Sequence, residues 1–384
     1  MATDAARDTT VLALQRAAPT EAAPLAEHSV FAVARPLAPP GGPAQSHRVM
    51  PPDVSVLMPF RNAEGTIGAA ARSIFGQLGP ALELVAVDDH STDDSVEVLR
   101  AEAGADPRLR LVTNSGRGLV DALNTGAAAC RGEWVARMDA DDLSCPGRLA
   151  AQVELLRASC ADVVGCRAAA PPGEDVSPGM AYYVEWVNSL LSPEEHARDL
   201  LVESPLVHPT VVMPRALLQN VGGYRAGQFP EDYDLWLRLA KSGARFCKHP
   251  QVLLYWRDSA ERLTRTDPRY SPFAFRTLKA RSLADGLVGS IDRVQIWGAG
   301  PDGKAWLPEL ERVGIAVMRY FDIDPRKIGG RIRGRVPVLA WEKIEAFRDT
   351  LTLVSVGAKG ARALIRHELQ TRSFVEGRDF VCVQ

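Results

Sequence analysis

The chain has no Cys-x-x-Cys pair and no cysteine spacing suited to zinc. Its six cysteines, Cys130, Cys145, Cys160, Cys166, Cys247 and Cys382, are scattered over 384 residues. With no basic leader followed by an apolar stretch, they read as reduced thiols of a cytosolic protein rather than a disulfide framework. Long apolar runs are missing as well. No uncharged stretch approaches the roughly 20 residues that a bilayer-spanning helix needs. The expectation is a cytoplasmic protein, with peripheral attachment to the inner face of a membrane left open. An excess of either charge is also lacking: Lys plus Arg is 45, Asp plus Glu is 47, and the net charge is −2. A general nucleic-acid binder would carry a basic surplus, so nucleic acid is not an expected partner.

What is present is enough apolar material for a sizeable core, 46% of residues, in a chain long enough for two or three domains. Residues 1–52 stand apart. Their Ala- and Pro-rich composition, as in AAPTEAAPLAEH and ARPLAPPGGPAQ, buries too little apolar surface to offset chain entropy and predicts disorder, with a short helix at Thr9–Arg16. Folding is expected to start just after Met50, with the preceding segment dispensable.

From Val54 strand and helix alternate. VSVLMP, ELVAVD, RLRLVT and EWVARMD read as strands, with helices at Thr66–Gln77, Asp93–Ala103 and Leu119–Cys130 between them. Such a succession predicts an α/β fold with a mostly parallel sheet, helices on both faces and ligands at the carboxyl ends of the strands. HPTVVMP is a further strand, ARFCKHPQVLLYW a strand pair, and Glu231–Ser242 and Ser271–Gly286 are helices. Two helices are expected within the irregular stretch 167–205.

Acidic residues collect at these strand ends: Asp88 and Asp89, then Asp139, Asp141 and Asp142, then Glu231 and Asp232. Carboxylates gathered at one sheet edge repel each other unless a cation sits among them. Oxygen ligands of this kind suit Mg²⁺ or Mn²⁺. The bland alternative for MDADD is a loop of helix-capping aspartates, with Asp142 capping the helix near Pro146. For Asp232 it is a solvated acid at a helix N-terminus.

The stretch from Val54 to about Ala284 resembles a family 2 glycosyltransferase of the GT-A fold. The resemblance is carried by VSVLMPFRNAEGTI, ELVAVDDHSTDDS, LVDALNTGAAACRGEWVARMDADD with PGRL, HPTVVMPRALLQNVGGYR and PEDYDLWLRLAKSG. It implies transfer of a sugar from a nucleotide diphosphate donor, here a UDP-sugar, to an acceptor hydroxyl with inversion. The acceptor would be a saccharide, a lipid-linked sugar or another hydroxyl compound, in cell-surface polysaccharide or glycoconjugate synthesis. It implies that Pro59 and Arg61 in the turn PFRNAE border the nucleotide base, that Asp89 bonds the base edge, and that Arg117 contacts the donor. Asp139 would lie near the ribose, Asp141 would hold the metal on the diphosphate, and Asp232 would be the catalytic base. His90 departs from the family, which has Gly there. His208 is a third metal ligand, an acceptor-pocket residue or a structural histidine. Trp236 reads as core rather than as a sugar-stacking platform, and Tyr182, Tyr183 and Trp186 as the packed face of a helix, although the resemblance implies acceptor recognition in this region.

Residues 292–384 start a second strand-helix series. VQIWGAGPDG carries G-x-G-x-x-G at Gly298, Gly300 and Gly303. Asp322 and Asp324 follow about 20 residues on, the spacing of a dinucleotide fingerprint in which the acid holds a ribose. The module resembles the small Rossmann-like domain that precedes the left-handed helix of sugar acyltransferases, through WGAGPDGK, DIDPRKIGG, GRVPVL and LVSVGAKGARALIRHEL. It binds a nucleotide or is a scaffold that has lost its ligand. The expected organisation is therefore an extension at 1–52, a GT-A domain at 53–286 and a Rossmann-like domain at 292–384. A nicotinamide-dependent oxidoreductase built on the fingerprint is one alternative, but it leaves Asp139, Asp141 and Asp232 without a role. A non-catalytic nucleotide-sugar-binding protein is another.

Overall fold

The computed structural model describes residues 51–384 apart from Cys160, Ala260 and Arg348. The expected helix at Thr9–Arg16 lies outside the described residues. The first half runs β1 (Val54–Phe60), α1 (Ile67–Phe75), β2 (Leu82–Asp88), α2 (Ser95–Ala103), β3 (Leu109–Thr113), α3 (Leu119–Ala129) and β4 (Trp134–Arg137). After β4 come β5 (Leu143–Ser144), α4 (Arg148–Ala158), β6 (Val163–Ala169), α5 (Pro178–Ser189) and α6 (Pro193–Asp199). They are followed by β7 (Val212–Pro214), α7 (Arg215–Asn220), α8 (Glu231–Lys241), β8 (Phe246–Tyr255), α9 (Leu263–Thr266) and α10 (Pro272–Ala284). The helices α5 and α6 fall in the stretch 167–205, where two helices are expected; β5, β6, α7 and α9 have no counterpart in the hydrophobic pattern.

These strands form one sheet in the order β3-β2-β1-β4-β7-β6-β8-β5. Strands β3, β2, β1 and β4 are parallel, as expected for strands buried on both faces. Beyond β4 the sheet is mixed, because β7 runs antiparallel to both β4 and β6. The expectation of a mostly parallel sheet holds: the antiparallel pairings are those of β7 and of the short β5, while β6 and β8 pair in parallel. VVGCRAA, which the hydrophobic pattern leaves without an assignment ahead of the irregular stretch 167–205, is strand β6. ARFCKHPQVLLYW is not a strand pair but the single strand β8, paired in parallel with β6. Its register breaks where His249 pairs with Cys166 and Val252 with Arg167, so Pro250 and Gln251 bulge outward, exposed. A bulge tolerates a proline inside a sheet, which is why the His-Pro pair does not end the strand.

The second half contains β9 (Arg293–Trp297), α11 (Pro301–Arg312), β10 (Ala316–Asp322), β11 (Arg331–Ile332), β12 (Val336–Ala340), β13 (Leu351–Val354), α12 (Ala361–Thr371) and β14 (Phe380–Cys382). The sheet order is β11-β12-β10-β9-β13-β14. All neighbours are parallel except the short edge strand β11. With β9 as its first strand, the parallel part follows the 3-2-1-4-5 order of doubly wound sheets.

The two sheets share an interior. One hydrophobic cluster joins Leu57, Val85, Tyr233 and Trp236 of the first half with Val294, Trp306 and Leu353 of the second. The fully buried Trp236 is core, as the pattern predicted. Asp199, at the end of α6, is buried and ion-paired with Arg366 of α12. Among the described residues no helix is long and apolar enough to cross a membrane.

Candidate active site

Strand β4 ends at the point where the sheet changes from parallel to antiparallel pairing, and the chain leaves it as Met138–Asp142. That segment is fastened on both sides. Arg137 N–H donates to the Val211 carbonyl at 2.9 Å, and Met138 N–H to the Leu57 carbonyl at 3.1 Å. Beneath it lies Arg148, fully buried. Its guanidinium donates to the Arg137 carbonyl at 2.7 Å and to Gln152 Oε1 at 3.0 Å. Arg137 is buried as well and ion-paired with Asp139.

The ligand atoms of Asp139, Asp141 and Asp142 lie within 4.8 Å of one another. Burial raises the pKa of Asp141, and the neighbouring Asp139 raises it further. Asp142 is raised well above the ordinary carboxylate range by burial and by both neighbours. One Asp142 oxygen accepts the Arg257 N–H at 3.0 Å. The other, Oδ2, is buried with no partner among the described residues. Asp142 is therefore not the helix cap expected at Pro146: α4 starts at Arg148 behind Gly147, whose φ is +78°, and no side chain caps it. A buried acceptor without a donor is costly, and a cation is what three converging carboxylates lack. The donor set is all oxygen, which suits a hard divalent ion.

The triad opens into a cleft of about 910 Å³ that is also lined by Pro59, Arg61, His208, Glu231 and Asp232. Asp232 comes from the first turn of α8, together with Glu231 and Asp234. Glu231 is buried and accepts the Tyr270 hydroxyl at 2.6 Å. Asp234 pairs with Arg238 one turn on at 2.7 Å and points away from the cleft chemistry. Asp232 accepts only the adjacent Tyr233 N–H at 2.7 Å among the described residues. Burial, reinforced by the Glu231 carboxylate, pushes its pKa up to about 8. The sequence brought out these acids; it did not bring out Glu203, Tyr270, Trp256 and Arg262, which line the same cleft. Arg262 stacks over Trp256 at 3.9 Å. No motif marks them: Trp256 ends the segment read as strand, Tyr270 ends a short 3-10 turn, and Glu203 and Arg262 come from loops.

Other expected residues sit differently. Asp89 is buried, and its carboxylate accepts Gly118 N–H at 2.9 and 3.0 Å and Asn114 Nδ2 at 2.6 Å. It holds the loop between β3 and α3 in place and is not a wall of the cleft. Arg117 is exposed on that loop, also outside the cleft lining. His90 adopts φ +58°, a left-handed conformation that glycine takes freely. That is the physical sense of the family's Gly at this position; the imidazole is held 2.9 Å from the Gly116 carbonyl. His208 is buried, bonded through Nε2 to the Tyr224 hydroxyl at 2.9 Å and packed edge-on against Trp236. Burial and Arg137 hold its pKa well below the usual range. It is a structural histidine in the cleft floor and no member of the carboxylate cluster. Tyr183 and Trp186 pack as expected of a helix face, though Tyr183 also lines the cleft, whereas Tyr182 is exposed.

The glycine fingerprint resolves into packing. A Cβ on Gly298 would lie 2.2 Å from the Ser355 carbonyl oxygen, and one on Gly303 would lie 1.8 Å from the Gly298 carbonyl oxygen. Gly300 precedes α11 with open space around it. Asp322, expected to hold a ribose, is buried. Its carboxylate accepts Ala299 N–H at 2.8 Å, Asp324 N–H at 2.9 Å and Lys327 Nζ at 2.9 Å. These partners hold its pKa below the ordinary value against the opposing effect of burial. Asp324 is likewise paired, with Arg326. The acid braces the glycine loop and is not left free for a ligand.

An α/β sheet that changes direction behind an acidic triad, with a second acid across the cleft, defines the class: a glycosyltransferase of the GT-A fold. The family model "Glycosyl transferase family 2" matches residues 55–222. An uncharacterized glycosyltransferase of Haemophilus influenzae is 32% identical over 186 residues, 48% of this chain and 67% of that protein. The succinoglycan biosynthesis protein ExoU of Rhizobium meliloti is 31% identical over 211 residues, 51% of this chain and 59% of that protein. Among solved structures, S. aureus TarS 1-349 in complex with UDP-GlcNAc shares the fold with a TM-score of 0.50 at 19% identity, over 68% of this chain and 72% of that one. The chain belongs to glycosyltransferase family 2.

Proposed function

We propose that the chain transfers a sugar from a nucleotide diphosphate donor, a UDP-sugar, to an acceptor hydroxyl with inversion at the anomeric carbon. The observation that carries this is the pairing, at one cleft, of three converging carboxylates, one with an oxygen left without a partner, with a further acid, Asp232. The first suits a metal diphosphate and the second a proton. Pro59 and Arg61 border the nucleotide. Asp139 and Asp141, with the open oxygen of Asp142, would hold Mg²⁺ or Mn²⁺. Such an ion neutralises the charge that develops on a diphosphate leaving group. Arg137 and Arg148 keep the triad in place from below.

The reaction follows from the layout. The acceptor hydroxyl attacks the anomeric carbon on the face opposite the diphosphate. The new C–O bond forms as the bond to the diphosphate oxygen breaks, and the hydroxyl proton passes to Asp232. A base works best with a pKa near the working pH, and burial beside Glu231 moves Asp232 into that range. The family relationship to a protein named for succinoglycan biosynthesis supports a saccharide or lipid-linked saccharide acceptor, hence a role in polysaccharide or glycoconjugate synthesis. The test is a donor-hydrolysis screen across nucleotide sugars with Mn²⁺, Mg²⁺ or chelator. Metal-dependent turnover of a UDP-sugar is expected; no hydrolysis and no metal-dependent UDP binding would sink the reading.

A further inference from the structure

The cleft does not end at the glycosyltransferase sheet. Beside Asp232, where Phe275 of α10 packs against Tyr233 with ring centroids 5.3 Å apart, its lining takes in Arg276 and Lys279 and reaches Asp302 and Trp306 of α11 and Gln384. This wall is built rigidly. Lys279 is buried and donates to the Val202 carbonyl at 2.7 Å and the Val383 carbonyl at 3.3 Å, pinning the segment after β14 to the first half of the chain. Arg362 donates to the Gln384 backbone carbonyl at 2.8 Å. The Gln384 side chain donates to Asp302 at 3.0 Å and is bonded to the Ser355 hydroxyl at 3.2 Å.

One group in this wall is left over. Arg276 is half-buried, and its Nε is enclosed with no hydrogen-bond partner among the described residues. A guanidinium presents five donors in a planar fork that matches a carboxylate or phosphate. Arg276 lines the cleft and forms no ion pair or hydrogen bond among the described residues, so its guanidinium is a cation of this wall left without an anion. Asp302 already accepts the Gln384 side chain, and neither Asp302 nor Glu203 is ion-paired with Arg276.

We propose that the C-terminal unit and α10 together form an acceptor subsite that takes an anionic group, a phosphate or a carboxylate carried by the acceptor, with Arg276 as its binding residue. The inference rests on the glycosyltransferase reading, in which the side of the cleft beside Asp232 is where an acceptor enters. It also gives the C-terminal unit a task unconnected with its glycine fingerprint.

The test is calorimetric titration of glucose, glucose 1-phosphate and glucuronate into the full chain, once with chelator and once with the UDP–Mn²⁺ complex preformed. An anionic sugar should bind about tenfold more tightly than glucose, the increment of one charge-assisted contact. Preference for glucose 1-phosphate assigns the site to phosphate, and preference for glucuronate to carboxylate. Arg276→Gln should abolish the preference and Arg276→Lys should keep part of it, while UDP–Mn²⁺ affinity stays unchanged in both. Equal binding of all three sugars, or an undiminished preference in Arg276→Gln, overturns the proposal. Failure of wild-type protein to bind UDP–Mn²⁺ counts instead against the donor reading, since the titration in chelator still reports on Arg276.

Discussion

Each half of the molecule carries an aspartate just past or at the end of a parallel strand, Asp142 beyond β4 and Asp322 at the end of β10, and the two are in opposite electrostatic conditions. Asp322 collects two backbone N–H donors and a lysine, and its pKa falls. Asp142 collects one N–H, keeps one buried oxygen without a partner, and its pKa rises beside two further acids. A strand-end carboxylate is thus a motif with two uses. Where the chain itself supplies the donors, the acid is a brace; where it withholds them, the acid is prepared for something from outside. The fingerprint glycines fit the first use, because Gly298 and Gly303 are required by close backbone approach whether or not a nucleotide is present.

The largest expected effect comes from the acid facing the triad. Asp232→Asn should lower turnover by roughly 10²–10⁴-fold while leaving donor affinity nearly unchanged, because a base acts as the transition state forms. Steady-state kinetics beside UDP–Mn²⁺ calorimetry separate the two; near-normal turnover would move suspicion to Glu231. Next, Asp141→Ala should remove the metal dependence of UDP binding, since only Asp139, ion-paired with Arg137, and the half-occupied Asp142 are then left to hold the ion. Unchanged metal-dependent affinity would take Asp141 out of the site. On the braced side, Asp322→Asn should cost about 1–3 kcal/mol of stability, the range for a buried donor left without its charged acceptor, and should leave UDP–Mn²⁺ binding alone. Because the Asp322 pKa is lowered, its contribution is present above the ordinary carboxylate pKa and is lost as pH falls through the native value. Chemical denaturation at neutral and acid pH should show wild type and variant converging in acid.

Asp232 has the reverse sign. Its native pKa of about 8 lies above the ordinary value of about 3.9. Its contribution is therefore full below the ordinary pKa and is lost as pH rises through about 8. In metal-free protein the Tm of Asp232→Asn relative to wild type should climb by a few degrees between about pH 6 and about pH 9. A constant difference would mean that Asp232 is ionised throughout. The smallest effect is a predicted null: NAD⁺ should not raise the Tm of wild type, because Asp322 has no free oxygen pair for a ribose. A clear shift would reopen the nucleotide reading of the C-terminal unit.

The sequence by itself determined the alternation of β1 to β4 with their helices, since apolar periodicity is local. It also determined which acids end strands, and the order of segments that shows the family. Strand β6 and the continuity of β8 were not legible, because a bulge around Pro250 looks like a turn until the partner strand is known. Nor were the fates of individual carboxylates. Whether Asp89, Asp142, Asp232 and Asp322 are satisfied depends on donors from Gly118, Arg257, Tyr233 and Lys327, and on what burial removes. Tyr233 and Lys327 are near their acids in sequence, Gly118 is 29 residues from Asp89, and Arg257 is 115 residues from Asp142. Only the tertiary structure brings Arg148 under the triad, sets Asp232 beside the same cleft and draws Gln384 into its wall. Periodicity records which side of an element is buried, whereas desolvation and hydrogen-bond supply depend on every element that closes around a group.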